Sequence, residues 1–165
     1  MKKLFKNIMA LLALSLLLYS CQKDFDVSGT ATEAMSGDWW VEMSVQDKTN
    51  GEVLANYGYY ELSTFNTAAN TQDSMWLTDN NSFWQYKVKV AINPDNMTFA
   101  VDQGKDLIWD DTTTITNGKI IPNAATTPSG VNVDSIYFEV EWATDPESVY
   151  IGSGYRYTGW EEDNH

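Results

Sequence analysis

The sequence predicts an all-β domain, an antiparallel up-and-down barrel of about eight strands, with a β-sandwich as the alternative. Three observations predict it. Past residue 36, apolar and polar residues alternate with period two in short runs; Asn, Asp, Gly and Pro turn signals separate the runs; and Trp, Tyr, Thr and Val are frequent while no helical pattern persists. No connection is long and helical enough for a parallel crossover, so the pairing is antiparallel. A barrel of eight strands can just hold one small ligand.

The first strand, 39–47, sets Trp39, Val41, Met43 and Val45 against Trp40, Glu42, Ser44 and Gln46. Asn50-Gly51 follows and predicts a type I′ hairpin, whose two central residues both need positive φ; the return strand covers 53–65. A short strand at 74–77 ends in Thr78-Asp79-Asn80-Asn81. The clearest strand is 83–92, with Trp84, Tyr86, Val88, Val90 and Ile92 on one side and Gln85, Lys87 and Lys89 on the other. Asn93-Pro94-Asp95-Asn96 turns the chain into a strand at 97–101. The strand at 112–121 carries Asn117-Gly118, which is a hairpin or a bulge, and the Pro/Gly/Ser/Thr-rich stretch 122–135 reads as a long loop, a lid or rim. Ile136, Phe138, Val140 and Trp142 alternate through the next strand, Asp145-Pro146-Glu147-Ser148 turns, and 149–157 closes the domain. The chain thus divides into a leader (1–20), a tether (21–36), one domain (37–160) and an acidic tail (161–165).

The leader has the three parts of a secretory signal: Lys2, Lys3 and Lys6, an apolar stretch from Ile8 to Leu18, and the small Ser20 at the cut. The only cysteine follows, in Leu18-Tyr19-Ser20-Cys21, which resembles the lipobox of bacterial lipoproteins. The resemblance implies that the mature chain begins at an acylated Cys21, each buried CH₂ adding ~0.8 kcal/mol to membrane affinity, and that the membrane partner is reached through this anchor. Gln22-Lys23-Asp24-Phe25-Asp26 is similar to the signal that carries Bacteroidetes lipoproteins to the cell surface. Without that signal the protein would sit on the outer membrane facing the periplasm. The small, polar residues up to 36 form a flexible tether.

Composition narrows the partners. Removing residues 1–20 takes away three lysines and no acid, moving the net charge from −13 to −16. A domain this acidic repels phosphate backbones, so nucleic acid is not expected as a partner. With Cys21 acylated no disulfide can form in the mature chain, and packing has to supply the stability.

Gly37-Asp38-Trp39 opens the first strand, and Arg156, the only arginine, lies in the last. This pairing resembles the Gly-x-Trp and terminal-strand Arg signature of lipocalins and the wider calycin superfamily. It implies that Trp39 closes one end of the barrel with the guanidinium across its indole, a contact worth ~0.5 to 2 kcal/mol in a geometry Lys cannot meet. In length, N-terminal anchor, the Asp134-Ser135-Ile136 strand start and the Tyr155-Arg156-Tyr157-Thr158-Gly159 ending, the mature chain resembles the Bacteroidetes family described as "lipid-binding putative hydrolase". The resemblance implies lipid binding more firmly than hydrolysis, and no catalytic residue is carried over from it.

The residues themselves offer little for hydrolysis. A serine nucleophile needs a base beside it, and the one histidine, His165, is the last residue, where a side chain is expected to be held by nothing. Adjacent acids such as Asp110-Asp111 and Glu161-Glu162 point apart on a strand and do not make a glycosidase pair. Zinc lacks His and Cys ligands, and no Ca²⁺ loop pattern occurs; no metal or other cofactor is expected. Asp73-Ser74-Met75, Asp111-Thr112-Thr113 and Asp134-Ser135-Ile136 resemble the acceptor of Bacteroidetes O-glycosylation. Aromatics are the remaining resource, because Trp and Tyr keep a polar tip suited to a wet cavity. Tyr57, Tyr59, Tyr60, Trp76, Trp84, Tyr86, Trp109 and Trp142 are therefore the candidate ligand-binding residues. The leading expectation is a lipid-like ligand bound without turnover. The alternatives are a glycan on exposed aromatic faces and a hydrolase.

Overall fold

The computed structural model describes residues 29–165; the leader, Cys21 and the Gln22 to Asp26 stretch lie outside the described residues. Eight antiparallel strands run β1 (Gly37–Asp47), β2 (Val53–Asn66), β3 (Ser74–Thr78), β4 (Lys87–Asn93), β5 (Thr98–Lys105), β6 (Thr112–Thr126), β7 (Asn132–Trp142) and β8 (Ser148–Arg156). Each pairs with the next and β8 pairs back onto β1, Trp39 opposite Arg156, closing a barrel. Closure leaves no edge strand to protect, which decides for the barrel over the sandwich.

Strict alternation of direction sorts the connections between two ends. The chain enters through a 3₁₀ turn, Glu33–Met35, beside the 66–74, 93–98 and 126–132 connections, at what we call the entry end. The 47–53, 78–87, 105–112 and 142–148 connections form the loop end.

Period-two patterning becomes period-two burial, most cleanly on β7, where Ile136, Phe138, Val140 and Trp142 are buried between half-buried neighbours. Trp39, Val41, Met43, Leu62, Leu77, Val88, Val90 and Ile115 join them in one continuous core, each no more than 3% exposed. Burying a side chain of this kind contributes about 1.5–3 kcal/mol, so the interior is the main source of stability. Gly152 makes room for it, since a Cβ there would stand 2.5 Å from the Phe138 ring. The barrel interior is thus filled by its own side chains, and the space open to a ligand lies on the rim and walls.

Three local expectations are corrected and one open alternative is resolved. At Asn50-Gly51 only Gly51 has positive φ, 73°, and its N–H bonds to the Asp47 carbonyl while the Asp47 carboxylate accepts from the Thr49 and Asn50 N–H groups. The turn is therefore a longer loop with one left-handed residue, not a two-residue type I′ turn. Residues 83–86 are not strand: β4 starts at Lys87, because a buried carboxylate claims the backbone N–H groups before it. The 122–135 stretch is not a long loop, since β6 runs to Thr126 and β7 starts at Asn132, leaving only 127–131 as connection. Its Pro122 falls in a register shift between Ile121 and Ala125, where a missing N–H costs no ladder bond. Asn117-Gly118 resolves as a bulge rather than a hairpin, inside β6 between Thr116 and Lys119.

Candidate functional site

The loop end is organised by two buried aspartates. Asp79, 2% exposed, accepts hydrogen bonds from the backbone N–H groups of Asn81, Phe83, Trp84, Gln85 and Tyr86, at 2.6 to 3.2 Å. One carboxylate thereby satisfies a whole loop that no strand pairs with, and Gln85 takes a φ of 65° to wrap around it. The Ser82 hydroxyl donates to the Glu61 carbonyl and fastens the loop to β2.

That loop lays Phe83 and Trp84 across the mouth. Trp84 stacks on the buried Trp142, centroids 5.0 Å apart and planes 19° apart, with Tyr150 5.7 Å away. Phe83 meets Tyr57 at 5.3 Å, Tyr60 at 4.7 Å and Tyr150 at 6.1 Å, and Tyr86 meets Trp142 edge-on at 5.4 Å. Such pairs add about 0.5–1.5 kcal/mol each beyond the area they bury.

Asp106, 1% exposed, shapes the neighbouring loop. Its Oδ1 accepts from the N–H groups of Ile108 at 2.8 Å, Lys87 at 3.2 Å and Trp109 at 3.4 Å. The side chains this turn presents are left outside: Leu107 and Trp109 are each 54% exposed and Ile108 43%. Asp111 accepts from the Thr144 hydroxyl at 2.6 Å and joins this loop to the 142–148 connection. Between them lies a cleft of about 440 Å³ lined by Trp84, Trp109, Asp110, Asp111 and Thr144, within the size range of small-molecule sites.

The electrostatics are one-sided. Burial, with the Asp79 and Asp106 carboxylates nearby, pushes the Tyr86 hydroxyl well above its ordinary pKa. Burial and the hydrogen bond to Asp145 push Tyr150 up as well. Both hydroxyls stay protonated at neutral pH. Beneath the aromatic layer, Asp106 Oδ2, Trp142 Nε1 and Thr113 Oγ1 are buried without a protein partner, and Thr113 and Trp142 face each other across β6 and β7. An unpaired buried polar atom costs about 1–3 kcal/mol.

Of the aromatics singled out in the sequence, Tyr57, Tyr60, Trp84, Tyr86 and Trp142 therefore belong to one cluster, and Trp109 lines the cleft beside it. Tyr59 and Trp76 lie elsewhere. Tyr59 is on the outer wall against His165, and Trp76 lies with Phe65 under the Lys87 ammonium, 5.3 and 5.0 Å from it. Sequence reasoning missed Phe83, Tyr150, Leu107 and Ile108. Asp79 was legible only as a turn residue, and Asp106 was not singled out at all.

His165 corrects a further expectation, because it is held. Its ring stacks on Tyr59 with centroids 3.8 Å apart, lies edge-on to Trp40 at 5.6 Å, and its Nε2 shares a hydrogen bond with the Tyr155 hydroxyl. The partner is a phenol, so the contact does not activate a serine. Among the described residues no group of three or more His, Cys, Asp or Glu side chains is placed to hold a metal.

At the entry end the Arg156 guanidinium lies 4.5 Å from the Trp39 ring centroid. It donates from Nη1 to the Ser36 carbonyl at 2.7 Å and from Nε to Asp134 at 3.2 Å, with Nη2 3.1 Å from the same carboxylate. A Cβ at residue 37 would stand 2.3 Å from Nη1, the reason for Gly37. The Trp39 indole N–H donates to the Thr64 hydroxyl, which donates to the Met35 carbonyl.

A larger depression, about 680 Å³, crosses the outer wall of β4 to β7 beside Asn117, Lys119, Tyr137 and Glu139. Its polar groups are already spent on one another: Tyr137 and Asn117 donate to Glu139, and the Lys119 ammonium covers the Tyr137 ring. The smaller loop-end cleft, lined by two half-exposed indoles and Asp110 and Asp111, is the better candidate.

A family model described as "Lipid-binding putative hydrolase" matches residues 24–161. No curated protein matches the chain. Among solved structures, a Bacteroides ovatus protein described as structural genomics, unknown function, is 11% identical with a TM-score of 0.48, over 79% of this chain and 43% of that one. The chain thus spans less than half the length of that protein, and so distant a likeness bears on nothing further.

Proposed function

This chain belongs to the "lipid-binding putative hydrolase" family, and from that premise we propose that it is an outer-membrane lipoprotein, anchored through Cys21 and displayed at the cell surface, that binds a lipid-like molecule at the loop end of its barrel without turning it over. The observation that carries the reading is the cleft between Trp84 and Trp109. Two half-exposed indoles, backed by a packed aromatic layer and continued by Leu107 and Ile108, offer apolar surface that folding left uncovered. Because the interior is packed, a bound chain lies along this rim instead of threading the barrel. An environment-sensitive apolar probe should bind the protein and be displaced by lipids, with Trp84 fluorescence reporting the event. No displacement by any lipid would sink the proposal.

A glycan is the second reading, favoured by the same two solvent-facing indoles beside Asp110 and Asp111, since a flat aromatic face also stacks on a sugar ring. Binding of water-soluble oligosaccharides with no response to lipids would decide for it. Surface display is tested with protease on intact cells: degradation only after lysis overturns the export reading of Gln22 to Asp26. Turnover is tested on ester and glycoside panels, where reproducible activity lost on mutation of a cleft residue would make the protein a hydrolase.

A further inference from the structure

We propose that the loop-end cleft selects amphiphiles with a cationic head group, an ammonium or quaternary ammonium on an apolar chain, held between the faces of Trp84 and Trp109 against Asp110 and Asp111. The inference rests on the lipid-binding reading of the same cleft and adds the sign of the head.

Charge is the first argument. The three segments that meet at the cleft, 79–86, 106–111 and 143–147, contain Asp79, Asp106, Asp110, Asp111, Asp145 and Glu147, and no lysine or arginine. The nearest cation in sequence on one side, Lys87, is turned to the outer wall over Phe65 and Trp76. Lys105 ends β5 on the other, and Lys48 of the adjoining 47–53 connection, whose N–H bonds to the Glu147 carbonyl, is paired with Glu141. A carboxylate or phosphate head entering here meets the Asp110 and Asp111 carboxylates that line the cleft, and like-charge juxtaposition disfavours it.

The walls are the second argument. Trp84 and Trp109 line the space and remain 37% and 54% exposed, and indole is the best aromatic partner for a cation. Aromatic faces with acidic groups beside them suit an ammonium head, whose charge is spread over C–H or N–H groups that can contact both.

The third is independent of the exposed acids. Asp106, beneath the loop that carries Trp109, is 1% exposed and keeps Oδ2 without a partner while Oδ1 holds three backbone N–H groups. Asp106 does not itself line the cleft, but among the described residues no lysine or arginine side chain pairs with it, so the ground beneath the Trp109 loop offers acceptors and no cation, which favours a positive over a negative head above it.

The test uses the full-length acylated protein in lipid nanodiscs, with empty nanodiscs as blank, titrated calorimetrically with octyltrimethylammonium, octyl glucoside and octanoate below their micelle concentrations. These share a chain and differ in head charge. The ammonium is expected to bind at least about tenfold tighter than octanoate and tighter than the glucoside, with an affinity that falls as salt rises. Asp110→Asn, at an exposed side chain, should weaken the ammonium severalfold and improve octanoate. Trp109→Ala should weaken every chain-bearing probe. Octanoate or octyl glucoside binding as tightly as the ammonium overturns the head-group inference and leaves the lipid reading standing. If none of the three binds, both fall.

Discussion

The two ends of the barrel use their polar and aromatic side chains differently. At the entry end the groups around Arg156 are answered by the protein: the Trp39 N–H by Thr64, the Thr64 hydroxyl by Met35, the Arg156 guanidinium by Ser36 and Asp134, while Trp40 Nε1 and Thr67 Oγ1 are buried without a partner. The loop end answers its backbone through Asp79 and Asp106, then leaves Asp106 Oδ2, Thr113 Oγ1 and Trp142 Nε1 without partners and the faces of Trp84 and Trp109 half bare. A closed barrel has no sheet edge on which to place a site, and here the half-bare indoles of Trp84 and Trp109 stand at one mouth. The contrast teaches that the aromatic side chains serve two purposes: some rings, such as Trp39, Phe138 and Trp142, fill the interior, and others, such as Trp84 and Trp109, sit on loops held by carboxylates.

The largest expected effect breaks the loop end. Asp79→Ala strips five backbone N–H groups of their acceptor and should cost about 3–5 kcal/mol in chemical denaturation, the range for removing one side of a buried charged network. The Trp84–Trp142 stack should dissolve with it, changing near-ultraviolet circular dichroism. A loss under about 1 kcal/mol would mean that the loop is held by its aromatics instead. The matching change at the entry end is smaller. Arg156→Ala should destabilise by about 1–3 kcal/mol through lost stacking and an unpaired Ser36 carbonyl, and Arg156→Lys should rescue little because an ammonium lacks the planar fork. Ligand affinity at the far end should not move in either variant.

Trp84→Ala sharpens the comparison from the other side. It removes a half-exposed ring, so stability should fall by only about 0.5–1.5 kcal/mol, while ligand affinity falls at least about tenfold. Equal affinity would place the ligand elsewhere.

Titration separates the two halves of the argument with still smaller effects. Burial, aided by the Glu139 hydrogen bond, pushes Tyr137 up to about 12. A raised folded pKa favours the protonated phenol, so its contribution to stability is complete below the ordinary value of 10.0 and disappears as pH rises through about 12. With Tyr86 and Tyr150 also raised, spectrophotometric titration of the mature chain should ionise only part of its tyrosines near pH 10 and the rest together with unfolding. A single step near 10 would contradict the burial assigned to these rings. At the acid side, burial pushes Asp163 up, but hydrogen bonds from Thr158, Ser129 and Thr127 outweigh it and leave it below 3.8. Its contribution is present above that value and is lost as pH falls through the lowered folded pKa. The expected result is local: the C-terminal turn detaches and the His165 resonances lose their ring-current shift from Tyr59 before the barrel unfolds.

The sequence by itself determined the all-β class, the number of strands and the inward residues of β1 and β7, because alternation is a local signal and each such strand buries one face. It also singled out Trp39 and Arg156, since a lone arginine opposite a Gly-x-Trp is visible without coordinates. What only the tertiary structure decided is where strands stop and which aromatics are left over. Phe83 to Tyr86 alternate like a strand, yet Asp79 captures their N–H groups, a competition between side chain and ladder that periodicity cannot register. Trp84, Trp109 and Trp142 look alike in a list of residues. One is buried in the core, one stacks on it and one is held out by Asp106, because burial is set by the distance to other elements, and that distance is fixed only when the barrel closes.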